Sequence, residues 1–126
     1  MAIKGLGTDI VDVVRFEERV ARLGDKLARR LLTDNEWQQW QAAAQPARFL
    51  AKRFAAKEAA AKALGTGIGR GVSFQHMEIH HTEWGAPKLR FSEGAAARFA
   101  ELGANQCHLS LSDEQAYVVA TVILDD

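Results

Sequence analysis

Two carboxylates, a lysine and a glycine turn are the residues of this chain whose types and spacing suit chemistry on a phosphate. Asp9 lies near the end of "AIKGLGTDIV", and Glu58 and Lys62 lie in "RFAAKEAAAKALGTG", residues 53–67. One or two carboxylates plus substrate phosphate oxygens are a common magnesium arrangement. A lysine ammonium meets phosphate as a point charge. The Gly65-Thr66-Gly67 turn follows directly, and such turns expose backbone N–H groups and let a phosphate come close. It is not a Walker A loop, because the order of lysine and glycines is wrong and no strand precedes it. A helix C-terminus is also the unfavourable pole for an anion, so lysine and arginine charge would have to overcome it. The competing reading is structural: Glu58 and Lys62, at i and i+4, form a surface ion pair of roughly 0.2–0.5 kcal/mol. Lys57 falls in the apolar arc of the same helix, where leucine would suit a purely structural role, and a snorkelling stem would reconcile it. Spacing alone does not show that Asp9 and Glu58 meet.

The elements that must position these residues are legible. "AIKGLGTDIV" reads as a short strand whose glycines allow close backbone approach. From Val13 the period becomes helical, with Val13, Phe16, Val20 and Leu23 on one stripe, Arg15, Arg19 and Arg22 on another, and Gly24 as the stop. "DKLARRLLTDNEWQQWQAA" predicts two short helices, with Thr33 and Glu36 as a capping box and Trp37 packing on Trp40. Pro46 suits the first turn of a helix over 47–64 that collects Leu50, Phe54, Ala61 and Leu64 on one arc and is capped by Gly65. "VSFQHMEIHHTE" and "PKLRFS" flank a "WGAP" turn as a hairpin. "SEGAAARFAELG" predicts a helix from Ser92 to Gly103. "QCHLSLS" alternates, with Leu109 and Leu111 on one face and His108, Ser110 and Ser112 on the other. "AYVVATVIL" is a near-continuous apolar strand, suited to the centre of a sheet or an interface. This order predicts an α+β fold with an antiparallel sheet.

Composition narrows the function. The 126 residues fit one domain spanning 1–126, and 48% hydrophobic content supports a core. Sixteen basic and sixteen acidic side chains cancel, so no global charge favours nucleic acid or a membrane surface. The lone Cys107 allows no internal disulfide, which predicts a reduced, cytoplasmic setting. "MAIKGLGTDIV" is too short and interrupted for a signal peptide, and no run approaches a membrane span. His76, His80 and His81 read as surface residues with a weak case for a metal site.

"GLGTDIVDVVRF" and "RFLAKRFAAKEAAAKALGTGI" together resemble the holo-[acyl-carrier-protein] synthase group of phosphopantetheinyl transferases. The specific pair is an aspartate two residues after G-x-G and a K-E-A-x-x-K-A-x-G-T-G block some fifty residues on, and the likeness spans essentially the whole chain. The resemblance implies the phosphopantetheinyl transferase fold. It implies transfer of the phosphopantetheine arm of coenzyme A to a serine of apo acyl carrier protein, with adenosine 3′,5′-bisphosphate leaving and Mg2+ required. It assigns Asp9 and Glu58 to the metal and Lys62 to the pyrophosphate, with Glu58 and Lys62 catalytic. It places Gly65, Thr66 and Gly67 against coenzyme A, and makes Arg53 and His108 basic candidates for its 3′-phosphate. His108 opens an H-x-S-x-S pattern, but Asp113 stands where many relatives carry histidine, so that histidine's role does not transfer. Arg15 and Arg22 are the implied carrier-protein contacts, with Arg29 and Arg30 weaker candidates. The plain alternative is a solvated arginine face paired with Glu17 and Glu18. The resemblance also implies a homotrimer with active sites between subunits, for which the last strand offers an apolar contact. Two other classes compete: a broader phosphopantetheinyl transferase for peptide or polyketide carrier domains, commonly about twice this length in two pseudo-repeated halves, and a non-catalytic coenzyme A-binding module. The module would not need both Asp9 and Glu58.

Overall fold

Alternation and capping produce the elements. The computed structural model describes residues 1–126. β1 (Ile3–Asp12) runs straight into α1 (Val13–Leu23), which Asp12 caps by accepting the Arg15 N–H. α2 (Asp25–Leu31) and α3 (Asp34–Gln41) follow, the second opened by the Thr33–Glu36 capping box. Trp37 and Trp40 pack with ring centroids 5.0 Å apart. α4 (Pro46–Ala63) starts on the proline and is the long central helix. A short 3₁₀ turn (Phe74–His76) leads to the hairpin β2 (Met77–His81) and β3 (Pro87–Phe91). α5 (Glu93–Glu101), β4 (Gln106–Asp113) and β5 (Tyr117–Asp125) complete the chain.

The main sheet is antiparallel in the order β1-β5-β4, and the hairpin forms a second, two-stranded sheet. The last strand is therefore central. Val118, Ala120, Val122 and Leu124 are buried against α4, while Val119, Thr121 and Ile123 are half-buried on the other face. The inner positions of the apolar run face α4, and the outer ones lie on a sheet face that no helix covers. On the outer face of the sheet Leu6, Ile10 and Tyr117 remain exposed.

Several side chains settle differently from expectation. His76 and His80 are half-buried rather than on the surface, and no group of three or more His, Cys, Asp or Glu side chains gathers in metal-binding geometry. Asp113 pairs with Arg48 and Lys52. Arg48 also donates to the carbonyls of Glu114 and Gln115, so these pairs pin the β4–β5 turn onto the start of α4. No helix is long and apolar enough to cross a membrane. Cys107 lies on the inner face of β4, where burial pushes its thiol up to about 12. Only the thiolate reacts with alkylating reagents, so iodoacetamide at pH 8 is expected to modify Cys107 at least about 100-fold more slowly in the folded chain than in the urea-unfolded chain. Comparable rates would show an accessible thiol.

Candidate active site

Close packing of backbone on backbone builds the site. β1 lies across α4 at Gly5 and Gly7. A methyl carbon on Gly7 would overlap the Ala59 carbonyl oxygen and come within 2.6 Å of the Ala63 amide nitrogen; one on Gly5 would overlap the Ala63 carbonyl oxygen. Only glycine on the strand, facing alanine on the helix, allows this approach. Side chains two apart on a strand share a face. Asp9 therefore follows Gly5 and Gly7 on the α4 side, while Glu58 and Lys62 immediately precede Ala59 and Ala63. The small residues thus bring the acidic end of the strand to the charged flank of the helix.

Lys62 does not pair with Glu58 along the helix. Its Nζ lies 3.0 Å from Asp9 Oδ1 and donates to the Thr8 carbonyl at 2.9 Å. Half of the lysine side chain stays exposed, against 16% for Asp9. Glu58 is half-buried. Burial pushes its carboxyl above the ordinary range, and the Asp9 charge adds to this; Lys62, Arg19 and Arg30 pull it back. Two carboxylates thus sense each other at one site, with three cations around them. Such a like-charge pair with hard oxygen donors fits a divalent cation whose remaining ligands are water or phosphate oxygens. Arg19 and Arg30 were not assigned to this centre from sequence, because Arg19 reads as part of a surface stripe and Arg30 lies on a separate helix.

The glycine turn takes the capping geometry that its place after Leu64 predicts. Gly65 and Gly67 have φ of +78° and +64°. Their N–H groups, and that of Thr66, are already engaged: Gly65 donates to the Lys62 carbonyl, and Thr66 and Gly67 to the Ala61 carbonyl. The turn therefore caps α4 and has no N–H group left for an anion. It forms one edge of an open cleft of about 430 Å³ that also involves Arg70, Gly71, Gly94 and Arg98. Arg98 is paired with Glu101 at the edge of this cleft and donates to the Leu64 carbonyl, so the unpaired positive charge beside the turn is that of Arg70.

One predicted ligand contact, that of Arg53, is corrected. Arg53 is 4% exposed and faces away from Glu58 and Lys62. Its Nε lies 3.4 Å from Glu36, it donates to Gln39 at 3.1 Å, and its guanidinium lies over the Phe49 ring. It is held in the interior and is not free for a 3′-phosphate. Lys57 does not snorkel: it is fully buried and donates to Glu36 at 2.6 Å. His108 is exposed and lies 3.1 Å from Asp125. It stands opposite Ile123, as Leu6 does, whereas Asp9 stands opposite buried Ala120. His108 therefore occupies the outer face of the sheet, and the chain does not bring it to its own Asp9–Glu58 pair.

The arginine stripe is open. Arg15 and Arg22 are exposed, and neither they nor Arg19 form ion pairs with Glu17 or Glu18. Arg15 and Arg19 border a groove of about 260 Å³ with Ile10, Phe16 and Phe54. Arg29 and Arg30 are also exposed, the first stacked 3.7 Å over the Trp37 ring.

A strand carboxylate and a helix carboxylate with attendant lysine, on an α+β fold crossed at glycine and alanine, suit phosphoryl transfer. The chain belongs to the 4′-phosphopantetheinyl transferase superfamily, whose sequence model matches residues 5–122. Within it, the chain is similar to the holo-[acyl-carrier-protein] synthase of Shewanella baltica, at 61% identity over 99% of this chain and 98% of that protein. The crystal structure of the Neisseria meningitidis holo-[acyl-carrier-protein] synthase superposes with a TM-score of 0.92 at 40% identity, covering 99% of this chain and 100% of that one. The Bacillus anthracis holo-(acyl-carrier-protein) synthase in complex with CoA (3′,5′-ADP) superposes at 0.82 with 36% identity, covering 98% and 97%.

Proposed function

We infer that this chain transfers the 4′-phosphopantetheine group of coenzyme A to a serine of apo acyl carrier protein, yielding the holo carrier and adenosine 3′,5′-bisphosphate. The observation that carries this reading is the 3.0 Å pairing of Lys62 with Asp9 at the glycine-set crossing of β1 and α4, with Glu58 one turn before Lys62 on the same helix flank. It agrees with full-length similarity to proteins named for this reaction. The reading places the enzyme in the cytoplasm, in support of fatty acid biosynthesis.

The serine oxygen forms a new bond to the phosphorus next to pantetheine. The bond from that phosphorus to the pyrophosphate bridging oxygen breaks, and the serine proton is lost. Asp9 and Glu58 would hold a magnesium ion, which when bound supplies neutralisation of pyrophosphate charge. Lys62, half-exposed and already aimed at Asp9, offsets charge that builds on the departing phosphate. Arg19 and Arg30 add to the same positive field. Glu58 is the chain's candidate acceptor for the serine proton. Gly65, Thr66 and Gly67 make room for coenzyme A without attracting its charge, and Arg98 and Arg70 flank that space.

The exposed apolar outer face of the sheet, with Leu6, Ile10 and Tyr117, supports a homotrimer. His108 lies on that same face, so in this reading it serves the coenzyme A site of a neighbouring subunit. The open arginines support docking of an acidic carrier protein. Arg15→Glu is expected to raise KM for the carrier about tenfold or more, with coenzyme A binding nearly unchanged, because exposed charges act on encounter with the partner. Steady-state kinetics with each substrate varied in turn would show it, and equal losses for both would remove the docking role. The reaction itself is tested by following adenosine 3′,5′-bisphosphate. Release from coenzyme A only when apo carrier and Mg2+ are both present supports transfer, and no release contradicts it.

A further inference from the structure

The transfer reading leaves one buried charged cluster without a role. Glu36 and Lys57 are both fully buried. One Glu36 oxygen accepts from the Thr33 N–H at 3.1 Å and from Lys57 at 2.6 Å. The other accepts from the Ile79 N–H at 3.0 Å and faces Arg53. Lys57 also donates to the Leu31 carbonyl at 2.6 Å. The Glu36–Lys57 pair thus ties together the end of α2, the start of α3, the middle of α4 and β2. Such a cluster is weak support for stability by itself, because desolvation offsets the attraction, but it is directional.

Direction matters because, where β1 crosses it, the opposite side of α4 presents only alanine to glycine. At about 100° per residue, Ala59 and Ala63 lie about 200–240° around the helix from Lys57. They contact glycine on β1, and the other polar ties of the helix lie toward its ends, Arg48 and Lys52 to the β4–β5 turn and Lys62 to Thr8 and Asp9. Arg53 lies about 40° from Lys57, and Glu58 and Lys62 lie about 100–140° from it, on the flank between the side that faces β1 and the side bonded to Glu36. We propose that the buried Glu36–Lys57 pair is a positioning device that holds α4 at the rotation turning Glu58 and Lys62 toward Asp9. Lys57 never touches substrate. It acts through the helix that carries its neighbour in sequence, and through Leu31 it also holds the end of α2, whose Arg30 charge reaches Glu58.

The inference rests on the transfer reading and is tested in the same assay on the full chain. Lys57→Met keeps the stem and removes the ammonium. Its kcat is expected to fall about tenfold or more, because small misplacements of reacting groups are costly. KM for coenzyme A should move less than about threefold. Val72→Ala, a core truncation in the loop before β2 and outside the β1–α4 contact, provides a control for lost stability. Under assay conditions where both variants are fully folded by circular dichroism, it should retain kcat within about twofold. If Lys57→Met does not fold, Lys57→Gln, whose shorter donor cannot reach both Leu31 and Glu36, replaces it with the same expected loss. Retained kcat in the lysine variant, or equal loss in the valine control, overturns the positioning role while leaving transfer intact. An inactive parent chain overturns both.

Discussion

Glu58→Gln is expected to lower kcat by at least about 10²-fold while leaving the fold intact, the scale at which one electrostatic or proton-transfer group is removed from a transition state. Glutamine preserves the shape but removes the charge that fits a divalent cation beside Asp9. Asp9→Ala should have the same consequence through the other carboxylate. The stability effect should run the other way. The Glu58 carboxyl is held above its ordinary value, first by burial and then by the Asp9 charge. A carboxyl with a raised folded pKa binds protons more readily in the folded than in the unfolded state. Its ionisation therefore lowers stability as pH rises from the ordinary glutamate range through the raised value. Above the raised value the wild-type chain carries that cost in full, and glutamine removes it. The Tm of Glu58→Gln at pH 7 should thus equal or exceed the parent's, and the difference should shrink as pH falls below the ordinary glutamate range. Activity retained within about threefold would show the carboxylate assignment to be wrong, and a large fall in Tm would show Glu58 to be a structural residue.

Gly7→Ala is expected to have the largest effect on stability. Replacing glycine with alanine ordinarily stabilises a compatible site by about 0.4–1 kcal/mol, by restricting the unfolded chain. At Gly7 the sign reverses, because the added carbon meets the backbone of Ala59 and Ala63, which no rotamer change can clear. β1 and α4 must separate. Overpacking costs typically about 1–3 kcal/mol and more where the backbone has to move, so a loss of at least about 3 kcal/mol is expected. For a chain of this size that is a fall in Tm of about 10 °C or more. The same separation moves Glu58 and Lys62 away from Asp9, so activity should be lost even at temperatures where the variant is folded. Unchanged Tm and turnover would show that the glycine–alanine crossing does not set the site.

Much of this arrangement was legible because it is local. The Thr33–Glu36 box, Pro46 at the start of α4, Gly65 after its end and the strand-to-helix change at Val13 all depend on neighbours a few residues apart. Asp9, Glu58 and Lys62 were identified by residue type, and by resemblance of the two segments that carry them. What sequence did not show was non-local. Arg53 and Lys57 are two of several cations on one alanine helix, and only tertiary packing makes Glu36 the partner that withdraws both from the surface. Glu36 itself was recognised for its cap; its second function, as a buried anion, depends on β2, more than forty residues away. The outer-face position of His108 follows from register with β5, which alternation within β4 cannot supply. The glycine turn was legible as the cap of α4, but the engagement of all three of its N–H groups by helix carbonyls was not. Arg19 and Arg30 reach Glu58 from two separate helices, and no spacing rule links them.

The central claim is that this chain moves phosphopantetheine onto a carrier serine, and the intact mass of the carrier tests it most directly. The full chain is incubated with apo acyl carrier protein, coenzyme A and Mg2+, and the carrier is weighed, with its Ser→Ala variant at the acceptor position in parallel. The predicted result is a gain equal to one phosphopantetheine group on the parent carrier and none on the variant. An unchanged carrier mass after prolonged incubation with folded enzyme would contradict the account.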